Sequence, residues 1–107
     1  MVDANWIDVA PEGNLAPGEH VVVDVNGTAV AVFRIGDEYY AIEDICTHDR
    51  SAISRNCMLE GREIICSRHG GRFCLQTGKA LLGPVYENIG VFPVRIEQSV
   101  IQVREAD

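Results

Sequence analysis

Short apolar runs separated by polar turns recur along the whole chain, and none follows the i, i+3, i+4, i+7 spacing of an amphipathic helix. The pattern predicts an all-β fold. Residues 20–25 lead into Asn26-Gly27, a dipeptide suited to the positive φ angles of a type I′ turn, and then into residues 28–35, so a hairpin is expected there. Gly36-Asp37 turns the chain into residues 38–42. Glu60-Gly61 separates Met58-Leu59 from residues 63–66 as a second hairpin, and Gln76-Thr77-Gly78 lies between residues 73–75 and 79–82 as a third. Val94-Arg95-Ile96-Glu97 and Ile101-Gln102-Val103-Arg104 alternate apolar with polar, as strands with one buried face do. Pro93 is expected at a strand start or an edge. With no repeat, low-complexity tract or linker, residues 1–107 read as a single domain.

Composition narrows the picture. The longest uncharged apolar stretches, such as residues 29–33, are far short of the roughly 20 residues of a membrane-spanning helix, so no membrane contact is expected. No export or transit signal opens the sequence, and a cytoplasmic location is expected. Four cysteines in that compartment favour metal binding over a disulfide framework. A net charge of −7 makes the chain a poor nucleic-acid binder. The charge is uneven: residues 1–50 carry −8, whereas residues 50–79, with Arg50, Arg55, Arg62, Arg68, Arg72 and Lys79 against Glu60 and Glu63, carry +4.

That basic segment contains the chemistry. Cys46-Thr47-His48 is followed, after 17 intervening residues, by Cys66-Ser67-Arg68-His69. Each pair of one thiol and one imidazole lies just beyond a β-like run, so the four side chains are expected on neighbouring loops where they can converge on a metal. Two Cys and two His also suit tetrahedral zinc. Structural zinc sites, however, use Cys-x(2–4)-Cys and His-x(3–5)-His knuckles, while here each pair mixes ligand types. A [2Fe-2S] centre that binds one iron through two Cys and the other through two His takes one ligand for each iron from each loop, which the mixed pairs fit.

Cys46-Thr47-His48 with Cys66-Ser67-Arg68-His69-Gly70-Gly71-Arg72-Phe73 resembles the Rieske signature C-x-H followed by C-x-x-H-G. Residues 73–81, the Leu59-Glu60-Gly61 turn and residues 91–97 are similar to the small Rieske ferredoxins of bacterial aromatic-ring dioxygenase systems, and the resemblance covers nearly the whole chain. It implies the Rieske fold of three antiparallel sheets, with a small cluster-binding subdomain at roughly 43–85. It implies one [2Fe-2S] cluster, with Cys46 and Cys66 on the inner iron and His48 and His69 on the outer iron. The implied role is electron transfer from a flavoprotein ferredoxin reductase that uses NADH to a terminal oxygenase that attacks an aromatic ring. Partners would dock at the histidines, and a monomer suits a carrier that alternates between them.

On that resemblance the oxidised cluster is formally neutral and gains one negative charge on reduction, so Arg50 and Arg68 beside the ligand loops are candidates for tuning it and for touching partners. High-potential respiratory members resemble C-T-H-x-x-C with C-x-C-H-G-S-x-Y; here the matching positions are Ser51, Arg68, Gly71 and Phe73. The loop-linking disulfide and both hydroxyl donors are missing, so a potential near the low end of the class, about −150 mV, is expected. Asp49, Ser67 and Cys57 depart from residues common in the family without touching a ligand. Cys57 and Cys74 are expected to be free thiols, and Pro84 is placed by the resemblance in a loop beside the cluster.

No catalysis of its own is expected. After His48 and His69 are used only His20 remains, which is too few for the two-His, one-carboxylate iron site of an oxygenase. No G-x-G-x-x-G fingerprint for a flavin or nicotinamide is present. His20, beside Glu19, is expected at the surface. Two other readings compete: a small Rieske subunit of a nitrite reductase-type complex, and a zinc-stabilised interaction module. The acidic remainder of the chain suggests basic patches on its partners.

Overall fold

The structure is a computed structural model and describes residues 6–46, 51–66, 70–83 and 87–105. Eleven strands occur among them: β1 (Ile7–Pro11), β2 (His20–Val25), β3 (Thr28–Ile35), β4 (Glu38–Glu43), β5 (Cys57–Glu60), β6 (Glu63–Cys66), β7 (Arg72–Cys74), β8 (Ala80–Leu82), β9 (Val91–Phe92), β10 (Val94–Glu97) and β11 (Val100–Val103). Short 3-10 turns sit at Glu12–Asn14 and Ile53–Asn56. The strands form three antiparallel sheets in the orders β1-β11-β10, β2-β3-β4-β9 and β5-β6-β7-β8, as the all-β reading anticipates.

Turn chemistry sets the registers. Asn26 and Gly27 take φ of 52° and 91°, the two positive angles of a type I′ turn, and β2 and β3 run over the expected residues. Gly61 takes φ of 59° at the first central position of the β5–β6 turn, as type II′ requires, pairing Glu60 with Glu63. The third hairpin is shifted from the expected 73–75 and 79–82. Leu75 continues the pairing with the β6 side instead, donating its N–H to the Arg62 carbonyl, and a bulge displaces β8 against β7. Two strands carry too little pattern to be anticipated. β1 is broken by a bulge between Asp8 and Ala10, and β9 has two residues. Pro93 stands where the chain passes from the second sheet to the first, immediately before β10, a position that asks for no N–H. Ile96, expected on a buried face, is 37% exposed because β10 is an edge strand.

The β2-β3-β4-β9 sheet lies between two apolar cores. Val30, Val32 and Ala41 meet Leu15, Val25, Ile101 and Val103 on one side. On the other, Ala31, Phe33 and Ile42 join Ile53, Ile64, Phe73, Leu75, Ile89 and two cysteines, Cys46 and Cys66. Alternation along β3 sends successive residues to opposite cores, so Val30 to Phe33 are all fully buried. The third sheet is also tied to the second by charge. Arg62, in the β5–β6 turn, donates to Glu38 at 2.9 and 3.2 Å and to the Tyr40 hydroxyl at 2.9 Å, while that hydroxyl donates to Glu38 at 2.6 Å.

Candidate metal centre

Cys46 follows β4 and Cys66 ends β6, so the two expected thiol ligands come from different sheets. Both are buried, at 0% and 2% exposure, and both belong to the core between the second and third sheets. Each opens a loop that closes in the same way. The Cys46 N–H donates to the Ser51 carbonyl at 2.7 Å, and the Cys66 N–H donates to the Gly71 carbonyl at 2.8 Å, five residues ahead in both cases. In the second loop the Gly70 N–H also returns to the Cys66 carbonyl at 2.7 Å. The fold therefore brings the two cysteines to one apolar wall at the bases of two matching loops.

His48 and His69, along with Arg50, Arg68, Asp49, Ser67 and Pro84, lie outside the described residues. Among the described residues no group of three or more His, Cys, Asp and Glu side chains gathers. What the described part supplies is half of the expected donor set, two thiols in a water-poor setting, each the residue before the stretch of sequence that includes one of the histidines. That donor chemistry fits a [2Fe-2S] group with thiol ligands on its buried iron.

The first loop has an anchor that the sequence did not reveal. The Asp44 carboxylate accepts two hydrogen bonds from Ser54, from its N–H at 2.8 Å and from its hydroxyl at 2.7 Å. Asp44 itself is pinned to β3, donating its N–H to the Ala29 carbonyl at 2.9 Å. The 3-10 turn that follows the loop is thereby fastened to the chain that enters it, and Ile53 is set into the core at 1% exposure. No local motif announces the pair, because ten residues separate donor from acceptor; only the closed loop brings them together.

Around the loops the basic excess is partly spent. Arg72 binds Glu60 at 2.8 Å and Glu63 at 3.0 Å on the outer face of the third sheet, and Arg62 is held by Glu38. Both guanidinium groups are pushed up by these carboxylates. Cys57 is half-buried on β5, donates a weak 3.8 Å hydrogen bond to the Ser54 carbonyl, and has its thiol pushed up by burial and then by the negative charge of Asp44. Cys74, near the outer surface, is held below the ordinary thiol value by hydrogen bonding from Thr77. Both are free thiols, as expected. His20 is exposed, as expected, against the Phe33 ring, 5.2 Å between centroids.

Comparison with known proteins agrees with this geometry. Residues 5–93 match the family model for the Rieske [2Fe-2S] domain. The chain is 41% identical over 100 residues, 94% of its length and 95% of the relative's, to the ferredoxin component of the naphthalene 1,2-dioxygenase/salicylate 5-hydroxylase systems of a Ralstonia species. Among solved structures, the ferredoxin of carbazole 1,9a-dioxygenase from Nocardioides aromaticivorans IC177 superposes with a TM-score of 0.89 at 30% identity, covering 96% of this chain and 100% of that one. A chain from a complex of reduced oxygenase and oxidised ferredoxin in carbazole 1,9a-dioxygenase superposes with a TM-score of 0.88 at 34% identity, covering 98% of both chains.

Proposed function

Starting from the fact that the chain belongs to the Rieske [2Fe-2S] domain family, we propose that it is the ferredoxin of an aromatic-ring dioxygenase system, a one-electron carrier with no catalytic turnover of its own. The observation that carries this reading is the pair of buried cysteines, each with its N–H bonded to the carbonyl five residues ahead. Cys46 and Cys66 would hold the inner iron and His48 and His69 the outer one, within a cluster-binding subdomain of roughly 43–85. When bound, the [2Fe-2S] group supplies a site that gains and loses a single electron.

The rest is the work of the chain. Ile42, Ile53, Ile64, Phe73 and Leu75 keep water from the thiols, which lowers the local dielectric and strengthens every charge effect there. The two loop closures fix both cysteine backbones, and Asp44 with Ser54 stops the first loop from peeling away. Phe73, buried in the same core as the two cysteines, has no hydroxyl to donate, and so would stabilise added negative charge there less than a Tyr would. The partners that follow are a flavoprotein ferredoxin reductase as donor and a terminal oxygenase as acceptor. The second draws support from the relative of similar fold found in complex with its oxygenase. We place the carrier in the cytoplasm as a monomer; among the described residues no helix is long and apolar enough to cross a membrane.

The test is an EPR spectrum of the dithionite-reduced protein, with iron and acid-labile sulfide assayed on the same sample. A rhombic mixed-ligand signal with about two irons and two sulfides per chain is expected. A colourless, EPR-silent protein containing zinc would overturn the reading.

A further inference from the structure

The β5–β6 hairpin brings a third thiol beside the core that holds the two expected ligands. Its two-residue turn places Cys57 directly opposite Cys66, with Met58 opposite Ile65 and Leu59 opposite Ile64. Cys66 gives its N–H to Gly71 and receives the N–H of Gly70 on its carbonyl, so both of its backbone groups point away from β5. Cys57 and Cys66 are therefore a non-hydrogen-bonded pair, the type in which Cα atoms stand about 4.5 Å apart and side chains come closest. That spacing falls inside the range of about 4.4–6.8 Å over which disulfides form. Opposed residues project to the same face of a sheet, and Cys57 packs against the core that contains Cys66. The Cys57 thiol donates only a weak 3.8 Å hydrogen bond, to the Ser54 carbonyl, among the described residues.

We propose that Cys57 is the resolving thiol for Cys66: when iron and sulfide are stripped in the presence of hydrogen peroxide, the two cysteines close a cross-strand disulfide that keeps the cluster-free chain in a reducible form. The inference rests on Cys66 being a cluster ligand. The Cys66 thiol attacks peroxide, breaking the O–O bond, and becomes a sulfenic acid while one water leaves. Cys57 then attacks that sulfur; the S–S bond forms, the S–O bond breaks and a second water leaves. Two thiols and one hydrogen peroxide give one disulfide and two waters, with two electrons passing to the peroxide. Without a resolving partner the sulfenic acid goes on to sulfinic acid, from which the ligand does not return. Cys46 sits on a separate loop, whereas the sheet itself sets Cys57 at bonding separation.

Peptide mapping tests this, because trypsin places the four cysteines on separate peptides, 35–50, 56–62, 63–68 and 73–79. The cluster-loaded protein is treated with EDTA and hydrogen peroxide, alkylated with iodoacetamide and digested without reductant. Peptide 56–62 joined to 63–68, two hydrogens lighter than their sum and separated by dithiothreitol, is the expected product. The wild-type chain should then take up iron and sulfide again only after dithiothreitol, and Cys57→Ser should yield peptide 63–68 carrying sulfinic acid. Peptide 63–68 joined to 35–50 in the wild type, or peptide 56–62 recovered fully alkylated, would overturn the proposal. Iron and sulfide content, measured on the starting sample, tests the assignment of the centre separately, so the two failures are told apart.

Discussion

Removing the Asp44 carboxylate should loosen the cluster without touching a ligand. Asp44 accepts two hydrogen bonds from Ser54, at 2.8 and 2.7 Å, both half-buried. A hydrogen bond to a charged group contributes about 1.5–3 kcal/mol, and partial exposure argues for the lower end. Ser54→Ala removes one bond, about 1.5 kcal/mol, and Asp44→Ala removes both, about 3 kcal/mol. If the first loop must open before iron is lost, each 1.4 kcal/mol is about tenfold in rate. Loss of visible absorbance under EDTA should then run about 10-fold faster in Ser54→Ala and about 100-fold faster in Asp44→Ala. Asp44→Asn, which keeps one acceptor oxygen, should fall between wild type and Asp44→Ala. If Asp44→Ala bleaches within about threefold of wild type, the anchor does not limit loop opening and the argument fails.

Other outcomes follow from neighbouring features. Gly78 has φ of +77°, and a Cβ there would collide with the Ile89 carbonyl, whereas Gly27, at +91°, has open space. Gly27→Ala should cost about 1 kcal/mol, and Gly78→Ala about 3 kcal/mol, since it also strains the bond from Ile89 N–H to the Gly78 carbonyl. Thermal midpoints should separate the two by about 10 °C, and equal losses would show that the Ile89 segment yields freely. Glu38 is held below its ordinary carboxyl value by Arg62 and then Tyr40. Its contribution is present above the unfolded value of about 4.5 and is lost as pH falls through the lower folded value. The gap in thermal midpoint between wild type and Glu38→Gln should therefore be full near pH 7 and close at lower pH than 4.5; a gap that does not change would exclude the ion pair as its source. Gly71→Ser with Phe73→Tyr adds two hydroxyl donors beside the buried cysteines and should raise the midpoint potential by roughly 130 mV, taking about 1.5 kcal/mol for each bond and a one-electron couple. An unchanged voltammogram would remove missing hydroxyls as the cause of a low potential.

The parts of the fold legible in the sequence are those enforced locally. Asn26-Gly27 and Gly61 dictate turns whose angles few other residues tolerate, and the short apolar runs in 20–25 and 28–35, on either side of the first of them, mark both strands. β9 escapes because two residues hold no period, and β1 because its bulge breaks one. The spacing of the paired motifs singles out Cys46 and Cys66, and the fold brings these two cysteines into one core. Asp44–Ser54 and Cys57–Cys66 were not legible, since each depends on two segments meeting, one through loop closure and the other through register. The local charge of +4 was legible as a sum but not as a field, because Arg62 reaches outside the segment for Glu38.

The chain leaves and re-enters its middle sheet at one place. Ile42 in β4 lies opposite Val91 in β9, and the Glu43 N–H reaches the Gly90 carbonyl at 2.9 Å. The segments that carry Cys46 and Cys66, with the whole third sheet, hang between those two neighbouring strands like a cassette with its ends clamped together. Such an insert can be exchanged or lengthened at little cost in closure entropy, since its ends are held by the sheet whatever lies between. Grafting the 44–89 stretch of a high-potential relative onto this base should therefore carry the redox character across while the base keeps its own strand pairing.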